Sequence, residues 1–382
     1  MKLLYLTGDY LYSKVHNSLI QNLLIMDPAL EVYVFSPVRC DNAHGLEDSY
    51  YKDERLKVFT PKVDIPIALF RFDFWAKQRC KVRLIEKFIP INEIDVIYAG
   101  TLFSEGGTAI RLSQRYKIPY YVTVRGSDVM TYSKTMPHLW YIANKIIRNA
   151  TSIICVTPSI KNKMMSFWQY KWTRNKIKSS PIVNNGIDPI WIDNLRVNPK
   201  SISDPIRVLY IGRFDINKNV LRLVEAIKIL RKKYKISLTL IGGKGEEHNE
   251  VLRQVESNKT YMEYLGAIYD KEELMAIVRR CDIFAMVSHS ETFGLVYAEC
   301  LSQGLPIIYT LGTGFSDFYP QGFVGCGVKS DSIDSITEGI EHVISHYDEI
   351  RKNISSIDFD NYTWPKIADK YIGFNKKAFS KA

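Results

Sequence analysis

The stretch "DIFAMVSHSETFGLVYAECLSQGLPIIYT", from Asp282 to Thr310, decides the fold. Its first apolar run ends at Ser288 and a polar loop follows. A helical segment from about Leu295 to Ser302 comes next, and a second apolar run begins after Gly304 and Pro306. Short apolar runs that alternate with a helix are typical of parallel strands joined by a crossover helix. The stretch therefore predicts one βαβ unit of a parallel sheet.

The same alternation extends in both directions from this unit. Short runs rich in Val, Ile and Tyr recur, each ending in a turn residue: "KLLYLTG", "LEVYVFSP", "DVIYAG", "PYYVTVRG", "SIICVTPS", "RVLYIGRF", "SLTLIGG" and "MEYLGAI". The pattern is interrupted only by an irregular stretch from Val183 to Pro205, which we interpret as the domain boundary. The sequence thus predicts an α/β protein of two doubly wound, Rossmann-like domains, residues 1–188 with a C-terminal helix at 365–382, and residues 189–364.

Length and composition agree with this organisation. The chain has 382 residues, of which 46% are hydrophobic and 24% are charged, and its length exceeds what one core usually supports. No stretch approaches the roughly 18 apolar residues of a membrane span, and the N-terminus is interpreted as a first strand rather than a signal peptide. The net charge of +10 suits nucleic acid, an anionic membrane or a phosphorylated ligand.

The cysteines and histidines do not predict a metal site. No two of the six cysteines have the spacing of metal ligands, and the seven histidines form no HExxH motif. We expect reduced thiols, a cytoplasmic location and no metal or other cofactor; the cysteines are Cys40, Cys80, Cys155, Cys281, Cys300 and Cys326.

Ligands of doubly wound sheets bind beyond the carboxyl ends of the strands, and a cleft between two such domains is the expected site. After the run that ends at Gly212, Arg213 and Lys218 precede a helix that begins near Asn219. Two cations beside a helix N-terminus can bind an anion, although a pair of solvated surface cations is an equally good interpretation. The next run ends in the glycine-rich stretch Gly242–Gly245, which either approaches a ligand or forms a tight turn and does not match the dinucleotide fingerprint.

Two glutamates flank the start of the helix in the opening stretch. Glu291 lies in the loop after the strand, and Glu299 lies eight residues later, inside the helix. The backbone N–H groups of Phe293, Gly294 and Leu295 at the helix start suit a phosphate or hydroxyl group. A carboxylate at Glu299 can accept two hydrogen bonds from a sugar diol, whereas the alternative is a solvated helix residue.

These motifs together resemble the GT-B-fold retaining glycosyltransferases of family GT4. The resemblance rests on Glu291 to Glu299 with Phe-Gly-Leu inside, and on Gly212-Arg213 followed by Lys218. It extends to "VNNGID" at 183–188, "VTVRGSD" at 122–128 and "YTWPKIADKYIGF" at 362–374. It implies transfer of a hexose from a nucleotide sugar, more often a UDP- than a GDP-sugar, with retention and without metal. A saccharide or lipid-linked acceptor of bacterial surface polysaccharide synthesis is implied as well.

The resemblance also implies roles for particular residues. Arg213 and Lys218 would hold the diphosphate, and Glu299 would bond the ribose hydroxyls. Glu291, with the amides of 293–295, would hold the donor sugar and the distal phosphate. We therefore assign catalysis to Glu291, Arg213 and Lys218; the donor site adds Gly212, Gly243, Gly266, Ala267, Ile268, Phe293, Gly294, Leu295 and Glu299.

The N-terminal half departs from the family pattern at two places. The loop after the first strand has only Gly8, so Lys14 or His16 is expected to supply the donor contact. Arg125 stands where many relatives have a histidine, and we hypothesise that it contacts an acidic sugar or a phosphate. With Asp128, these residues form the predicted acceptor side of the site.

Two basic stretches carry aromatic residues, at 70–88 and 161–178. Such composition suits an anionic membrane surface, so peripheral attachment to the inner face of the cell membrane is one expectation. An ordinary helix with aromatic side chains packed inward is the alternative, and nucleic-acid binding has no supporting motif.

Other functions remain open at this level. A nucleotide-sugar-binding protein or an epimerase of the same fold would need the same donor site. A metal-dependent GT-A transferase would have to use Asp358-Phe359-Asp360, which lies past the last predicted strand.

Overall fold

Parallel strands build two separate sheets in the part of the chain that the computed structural model describes, residues 1–38, 51–62, 73–198 and 200–379. Cys40, residues 70–72 of the first basic stretch and residues 380–382 of the predicted C-terminal helix lie outside the described residues. The first unit comprises Met1–Val156, Ile160–Gly186 and Trp364–Ala382, and the second comprises Thr157–Ser159 and Ile187–Thr363.

The first sheet has the strand order β3-β2-β1-β4-β5-β6, and every pairing is parallel. Its strands are β1 (Lys2–Leu6), β2 (Glu31–Phe35), β3 (Leu56–Phe59), β4 (Val96–Ala99), β5 (Tyr120–Val124) and β6 (Ser152–Cys155). The associated helices are α1 (Lys14–Met26), α2 (Phe74–Phe88), α3 (Ser104–Tyr116), α4 (Ser133–Thr135), α5 (Trp140–Asn149), α6 (Pro158–Ser166) and α7 (Arg174–Lys178). This strand order is that of a doubly wound sheet whose direction of growth reverses between β1 and β4.

The second sheet repeats this arrangement, with the order β12-β11-β10-β7-β8-β9. Its strands are β7 (Ile206–Gly212), β8 (Ile236–Gly242), β9 (Met262–Tyr264), β10 (Ile283–Ala285), β11 (Ile307–Thr310) and β12 (Gly325–Val328). The helices are α8 (Pro189–Asp193), α9 (Val220–Leu230), α10 (His248–Ser257), α11 (Lys271–Arg280), α12 (Leu295–Ser302), α13 (Ile333–Ser345) and α14 (Tyr347–Ser355). Here the reversal falls between β7 and β10, and α12 has the predicted bounds.

Local sequence explains the two helices that border this reversal. On α9 the buried residues recur at helical spacing, as Val220, Leu223, Val224, Ile227 and Leu230, so one face packs on the sheet. By contrast, α12 buries residues on most of its faces, including Ala298 and Cys300, as expected for a helix in the interior.

The C-terminal helix α15 (Trp364–Phe379) belongs to the first unit. Trp364, Ile367 and Ala368 are buried in the same core as the apolar residues of α1 and β1. The hydroxyl of Tyr98 on β4 donates to the backbone oxygen of Tyr371 at 3.1 Å, and that of Tyr121 on β5 donates to Phe374 at 2.7 Å. The first core therefore depends on residues from both ends of the chain.

Gly242 allows the ends of β7 and β8 to approach each other. It has φ +119°, and a Cβ atom at this position would overlap the carbonyl oxygen of Gly212. The tight-turn interpretation of the glycine-rich stretch thus has a physical cause at this residue, since any other residue would push the two strand ends apart.

Gly242→Ala is therefore expected to lower the free energy of unfolding by about 3 kcal/mol or more, because backbone strain adds to the overlap. Gly312→Ala is the matched control, because Gly312 has φ +70° but no atom within 4 Å of a built Cβ; its expected cost is about 1 kcal/mol. Chemical denaturation measures both variants. Equal losses would show that the conformation alone, and not the close approach, requires Gly242.

Candidate functional site

The second sheet brings the predicted donor residues to one place. The loop after β7 carries Arg213 and Lys218, and the loop after the neighbouring β10 carries Glu291. These are the carboxyl ends of the two strands between which the sheet reverses, where crossover connections leave in opposite directions and open a crevice. The strand order therefore positions these predicted residues at a ligand-binding edge.

Lys218 is the central cation of this crevice. Its ammonium group forms an ion pair with the Glu291 carboxylate, and both side chains are largely buried, with exposures of 18% and 13%. The Lys218 backbone N–H donates to the Asp215 side chain at 2.9 Å, so the backbone position of this cation is fixed. Arg213 is different, because its guanidinium is 73% exposed and contacts Asp215 at 2.7 Å.

Glu291 is held by its backbone as well as by its charge. Its N–H donates to Thr313 Oγ1 at 2.8 Å, and its carbonyl accepts from Thr313 Oγ1 and from the Gly314 N–H, both at 3.0 Å. The loop that follows β11 thus fixes the loop that follows β10. Sequence reasoning missed Thr313, because neighbouring loops of a sheet meet only once the strand order is known.

Asn219 links the segment that follows β7 to the segments that follow β10 and β12. It has φ +58°, and its carboxamide donates to the carbonyls of Val287 at 3.0 Å and Ser330 at 2.7 Å. Asn tolerates this backbone conformation better than most residues do. The sequence does contain one local signal for this role. An Asn stands directly before the helix, and Asn is one of the few residues that readily adopt a left-handed conformation.

The start of α12 presents backbone donors toward the crevice. No described residue accepts a hydrogen bond from the N–H groups of Phe293, Gly294 or Leu295. Gly294 has φ +82°, and Tyr297 packs directly against it while donating to the carbonyl of Met286. The Phe293 ring is buried against Phe315 and Phe318, which fixes the loop from which these donors point.

Glu299 lies farther along α12, and its carboxylate is in an unusual environment. Burial raises its pKa to about 7, the charge of Lys271 opposes this, and that of Asp188 adds to it. Lys271 forms an ion pair with Asp188. No described residue donates a hydrogen bond to the Glu299 carboxylate, whereas the Glu299 backbone carbonyl accepts from Ser302 Oγ at 2.6 Å. The carboxylate is therefore a half-buried acceptor without a partner, not a solvated helix residue.

The loops after β8 and β9 complete this edge. Gly243 has φ +125°, and the Gly242 N–H donates to the Gly266 carbonyl at 2.7 Å. Ala267 is exposed and Ile268 is partly buried, directly after the edge strand β9. Nearby, one Glu247 carboxylate oxygen is buried without a described hydrogen-bond partner, and burial raises the pKa of this group, with Asp215 and Glu246 adding to the effect.

In the first unit, the predicted acceptor residues lie at the corresponding reversal between β1 and β4. Gly8 and Lys14 are exposed after β1. Arg125 follows β5, and its Nε donates to the Gly100 carbonyl at 2.9 Å. These three residues remain accessible to a ligand of this edge.

Asp128 requires a correction. Its side chain is fully buried and accepts hydrogen bonds from the backbone N–H groups of Leu102 at 3.0 Å, Phe103 at 3.2 Å and Arg125 at 2.9 Å. Burial raises its pKa to about 6, although these hydrogen bonds oppose the shift. Asp128, predicted as an acceptor or cleft residue, therefore holds the loops that follow β4 and β5, and its buried side chain does not reach an acceptor.

His16 also differs from the prediction, because it is buried and both of its ring nitrogens have partners. Nδ1 lies 2.7 Å from the Tyr5 hydroxyl, and Nε2 lies 3.0 Å from the Asp9 carboxylate. Burial lowers the pKa of His16, and the charge of Arg125 adds to this, while the hydrogen bond and the charge of Asp9 oppose it. His16 cannot supply the donor contact. In the hydrogen-bonded series Tyr5–His16–Asp9, the exposed group is the Asp9 carboxylate, which sequence reasoning missed.

Burial of Asp9 would raise its pKa, but hydrogen bonds from His16 and Thr7 hold the pKa well below its usual range. Asp9 therefore presents a permanent negative charge beside Gly8 and near Arg125. The Asp9 carboxylate can accept hydrogen bonds from sugar hydroxyls, but its negative charge partly compensates that of Arg125, so the Arg125 hypothesis stays a prediction.

The described residues contain no group of three or more His, Cys, Asp or Glu side chains placed to hold a metal ion. Asp358, the first residue of the possible DxD motif, caps a turn through the Asp360 N–H at 3.1 Å. A search of the described helices finds none that is both long and apolar enough to cross a membrane.

Comparison with known proteins identifies a family match over the unit that carries the predicted donor residues. Residues 192–357 match the family of glycosyl transferases group 1. The capsular polysaccharide biosynthesis glycosyltransferase CapM of Staphylococcus aureus is 26% identical over 281 residues, which cover 68% of this chain and 71% of CapM. The alpha-monoglucosyldiacylglycerol synthase of Acholeplasma laidlawii is 24% identical over 343 residues, which cover 85% of this chain and 80% of that protein.

Among solved structures, Anabaena HepE in complex with UDP has a TM-score of 0.72 to this chain at 17% identity, covering 99% of this chain and 100% of HepE. The predicted GT-B fold is confirmed, and so is the family resemblance stated from the motifs.

Glu299→Gln is expected to remove a pH dependence of stability. A raised carboxyl pKa favours the protonated folded state, so the contribution of Glu299 is complete below about pH 4.5 and is lost as the pH rises through about 7. Across this pH range, Glu299 is expected to lower the free energy of unfolding of the wild-type protein by about 2 kcal/mol, allowing for partial solvent screening. Chemical denaturation between pH 5 and 8 measures it, with Glu256→Gln as the control because that side chain is 70% exposed. Parallel curves for wild type and Glu299→Gln would contradict the assignment.

Proposed function

We propose that this chain, which has the GT-B fold and matches the glycosyl transferases group 1 over residues 192–357, transfers a hexose from a UDP-sugar to a saccharide or lipid-linked acceptor. Retention of anomeric configuration and independence of metal are part of the proposal. CapM is named for capsular polysaccharide biosynthesis, and the Acholeplasma relative for glycolipid synthesis, which supports a role in forming bacterial surface polysaccharide. The UDP complex of HepE supports UDP as the nucleotide.

One observation carries the proposal. Lys218 and Glu291 form a largely buried ion pair at the sheet reversal, beside three backbone N–H groups that have no described acceptor. A diphosphate that enters this edge can replace Glu291 as the partner of Lys218 and accept hydrogen bonds from the amides. Glu291 would then turn its carboxylate to the hydroxyl groups of the donor sugar.

This exchange fits the chemistry of a departing diphosphate. In the proposed front-face displacement, the leaving phosphate gains negative charge while it helps to remove the proton of the acceptor hydroxyl. Lys218, Arg213 and the amides of 293–295 are fixed before the reaction, so they stabilise the charge where it develops. Arg213 is exposed, so it can reach the ligand without breaking a buried contact.

Glu299 supplies the proposed ribose contact. Its carboxylate lacks a described hydrogen-bond donor, and two ribose hydroxyls would provide two. Donors of this kind favour the ionised carboxylate, which offsets the cost of its burial. Gly266, Ala267 and Ile268, which follow the edge strand, are proposed to line the base.

Recognition of the acceptor is proposed to lie at the reversal of the first sheet. Gly8, Lys14 and Arg125 are accessible there, and Asp9 adds a fixed carboxylate. His16 and Asp128 act behind this surface, where they position Asp9 and the loop of Arg125.

Attachment to an anionic membrane surface is a further part of the proposal. In the second basic stretch, Tyr170 is buried and donates or accepts a hydrogen bond with Ser133 at 2.6 Å, so the inward-packing interpretation holds for this residue. In contrast, Trp168 and Trp172 are 63% and 68% exposed, and Tyr141 nearby is 77% exposed. They line a groove of about 660 Å³ with Lys145 and Arg148, an arrangement that suits lipid headgroups.

A nucleotide-sugar-binding protein or an epimerase of the same fold is the alternative. Either would bind the donor as proposed, but neither would need an accessible set of polar residues at the first sheet. Product analysis separates the three functions, because only a transferase needs an acceptor and only an epimerase changes the free nucleotide sugar.

Donor binding is expected to require Arg213 and no metal. At 100 times its dissociation constant, a UDP-sugar should stabilise the protein by about 2.7 kcal/mol, with or without chelator. Arg213→Ala should weaken that binding by roughly 10- to 100-fold, because a charge-assisted hydrogen bond is lost. Thermal shift with UDP, UDP-sugars and GDP-sugars measures both effects.

Lys235→Ala is the matched control for this experiment. Lys235 is 81% exposed and contacts Asp204 at 3.3 Å, so it resembles Arg213 in exposure and pairing but lies at the start of β8. No stabilisation by any nucleotide sugar, or an equal loss in both variants, would contradict the donor site. Stabilisation that disappears with chelator would instead favour a metal-dependent enzyme.

Vesicle binding is expected to depend on the exposed indoles. Trp168→Ala with Trp172→Ala should reduce sedimentation with phosphatidylglycerol vesicles at least fivefold, because the apolar anchors are lost while the net charge is kept. Tyr269→Ala is the control, since Tyr269 is 84% exposed in the second unit. Wild-type protein that stays in solution with such vesicles would contradict this part of the proposal.

A further inference from the structure

A second basic surface lies in the first unit, between α2 and α3. It includes no predicted donor or acceptor residue, but its α2 side belongs to the first basic stretch, 70–88, for which the sequence predicts only contact with an anionic membrane. It is a groove of about 470 Å³. The residues that line it are Arg79, Val82, Arg83, Glu86, Arg111, Gln114 and Arg115. We refer to it as the arginine groove.

Close packing of the two helices fixes the floor of the arginine groove. Thr108 Oγ1 donates to Gln78 Oε1 at 2.6 Å, and the buried Lys81 ammonium contacts Glu105 at 2.9 Å. A Cβ atom at Gly107 would lie 2.6 Å from the Phe74 ring, so the helices could not approach this closely with a larger residue. The arginines therefore project from a rigid pair of helices.

The spacing of the arginines is unfavourable for the helices themselves. Arg79 and Arg83 are four residues apart on α2, and Arg111 and Arg115 are four residues apart on α3. Like charges at this spacing repel each other on one helix face. Both pairs line the same groove, so an anion there would relieve the repulsion on both helices.

Nearby acids compensate only part of this charge. Asp73 lies 3.5 Å from Arg79, and Glu86 lies 2.8 Å from Arg115. Glu86 also accepts from the Tyr116 hydroxyl at 2.9 Å. The four guanidinium groups therefore exceed the two carboxylates that approach them.

Arg111 is held in position without a hydrogen-bond partner at its Nε. Its guanidinium lies over the Trp75 ring, 4.5 Å from the centroid, and the Nε atom is buried with no acceptor among the described residues. Partial burial lowers the pKa of Arg111, and the positive charge of Arg79 adds to this while Asp73 opposes it. A guanidinium fixed by an aromatic ring and short of acceptors is ready to bind an anion.

We propose that the arginine groove binds phosphate groups, as a phosphodiester or a diphosphate. Guanidinium groups match phosphate oxygens with two parallel hydrogen bonds, and Gln114 adds an amide donor. The ligand can come from an anionic lipid headgroup or from a soluble diphosphate. Exposure of Phe88 at the end of α2, at 42%, favours the lipid headgroup. This site does not depend on the proposed donor site, which lies in the second unit.

The test uses the full chain and the double variant Arg79→Gln with Arg83→Gln. Both side chains are exposed, and removal of a like-charge pair should leave the melting temperature unchanged or slightly higher. Lys235→Gln with Lys259→Gln is the matched control, since it removes the same charge from exposed sites in the second unit, at 81% and 65% exposure. Arg111→Lys is a second variant, which keeps the charge but loses the planar donor pair.

One arm measures sedimentation with phosphatidylcholine vesicles that contain 30% phosphatidylglycerol, and the other measures thermal shift with sodium pyrophosphate. We expect the affinity for the vesicles and the affinity for pyrophosphate each to fall at least tenfold in the Arg79/Arg83 variant and at least threefold in Arg111→Lys. In the control variant, both affinities should change less than twofold. An effect confined to pyrophosphate would support the site and assign it to a soluble ligand.

Equal losses in the arginine variant and in the control would overturn the proposal, because net charge alone would then explain binding. Unchanged binding in both arms would overturn it as well. Thermal shift with UDP is measured in parallel on every variant. If the wild-type protein does not bind UDP, this result counts against the proposed function and not against the arginine groove.

Discussion

The reversal of strand order in each sheet is the constraint on which the rest of the structure depends. All strands are parallel, so every connection crosses over one face of its sheet, and the connections on either side of β7 and β10 leave by opposite faces. No helix can then cover the carboxyl ends of these two strands. The polar groups of this edge remain accessible in a protein whose parallel strands are otherwise enclosed.

That accessible edge imposes an electrostatic problem, which the ion pair of Lys218 and Glu291 solves. A lone cation at this degree of burial would be costly, and a fully solvated one would bind an anion weakly. The pair holds the Lys218 side chain in place, while the backbone anchors at Asp215 and Thr313 keep both partners fixed. In the proposed donor complex, a diphosphate would only exchange one anionic partner of Lys218 for another, so little reorganisation would accompany binding.

Sequence reasoning succeeded where a property depends on neighbouring residues in the chain. The bounds of α12, the strand that ends at Gly212 and the two doubly wound sheets could be predicted because periodicity and turn residues encode them, whereas the GT-B fold was implied by the family resemblance of the motifs. It failed where two loops must meet. Thr313 and Asn219 serve Glu291 and β10 from distant segments, and the burial of Asp128 follows from backbone donors of a different loop, so no local pattern reports them.

His16 and Lys14 show the same limit on a smaller scale. Both follow the first strand and both can bind anions, so the sequence treats them as equivalent candidates. Position on α1 separates them, because Lys14 begins the helix at the surface while His16 turns inward to Tyr5. The helix register decides between them, because residues two positions apart lie about 200° apart around the helix axis.

Three carboxylates, of which Glu105 and Asp128 are buried and Glu299 is half-buried, show how surroundings, rather than residue type, determine what an acid can do in this fold. Burial would raise the pKa of Glu105, but the positive charge of Lys81 outweighs this effect together with the hydrogen bonds from Lys81 and Thr101. The pKa of Glu105 is therefore lowered. Asp128 is satisfied by three backbone donors, so it has no capacity left for a ligand. Glu299 has neither kind of partner, and its pKa is raised to about 7. An acid that remains unsatisfied at the edge of a ligand-binding crevice retains a cost that only an incoming donor can remove.

The same reasoning applies to the arginine groove with the sign of the charge reversed, since Arg111 is fixed by Trp75 but has no acceptor for its Nε. In both places the folded chain leaves a polar group incomplete, and the chemistry of the missing partner follows from the group itself.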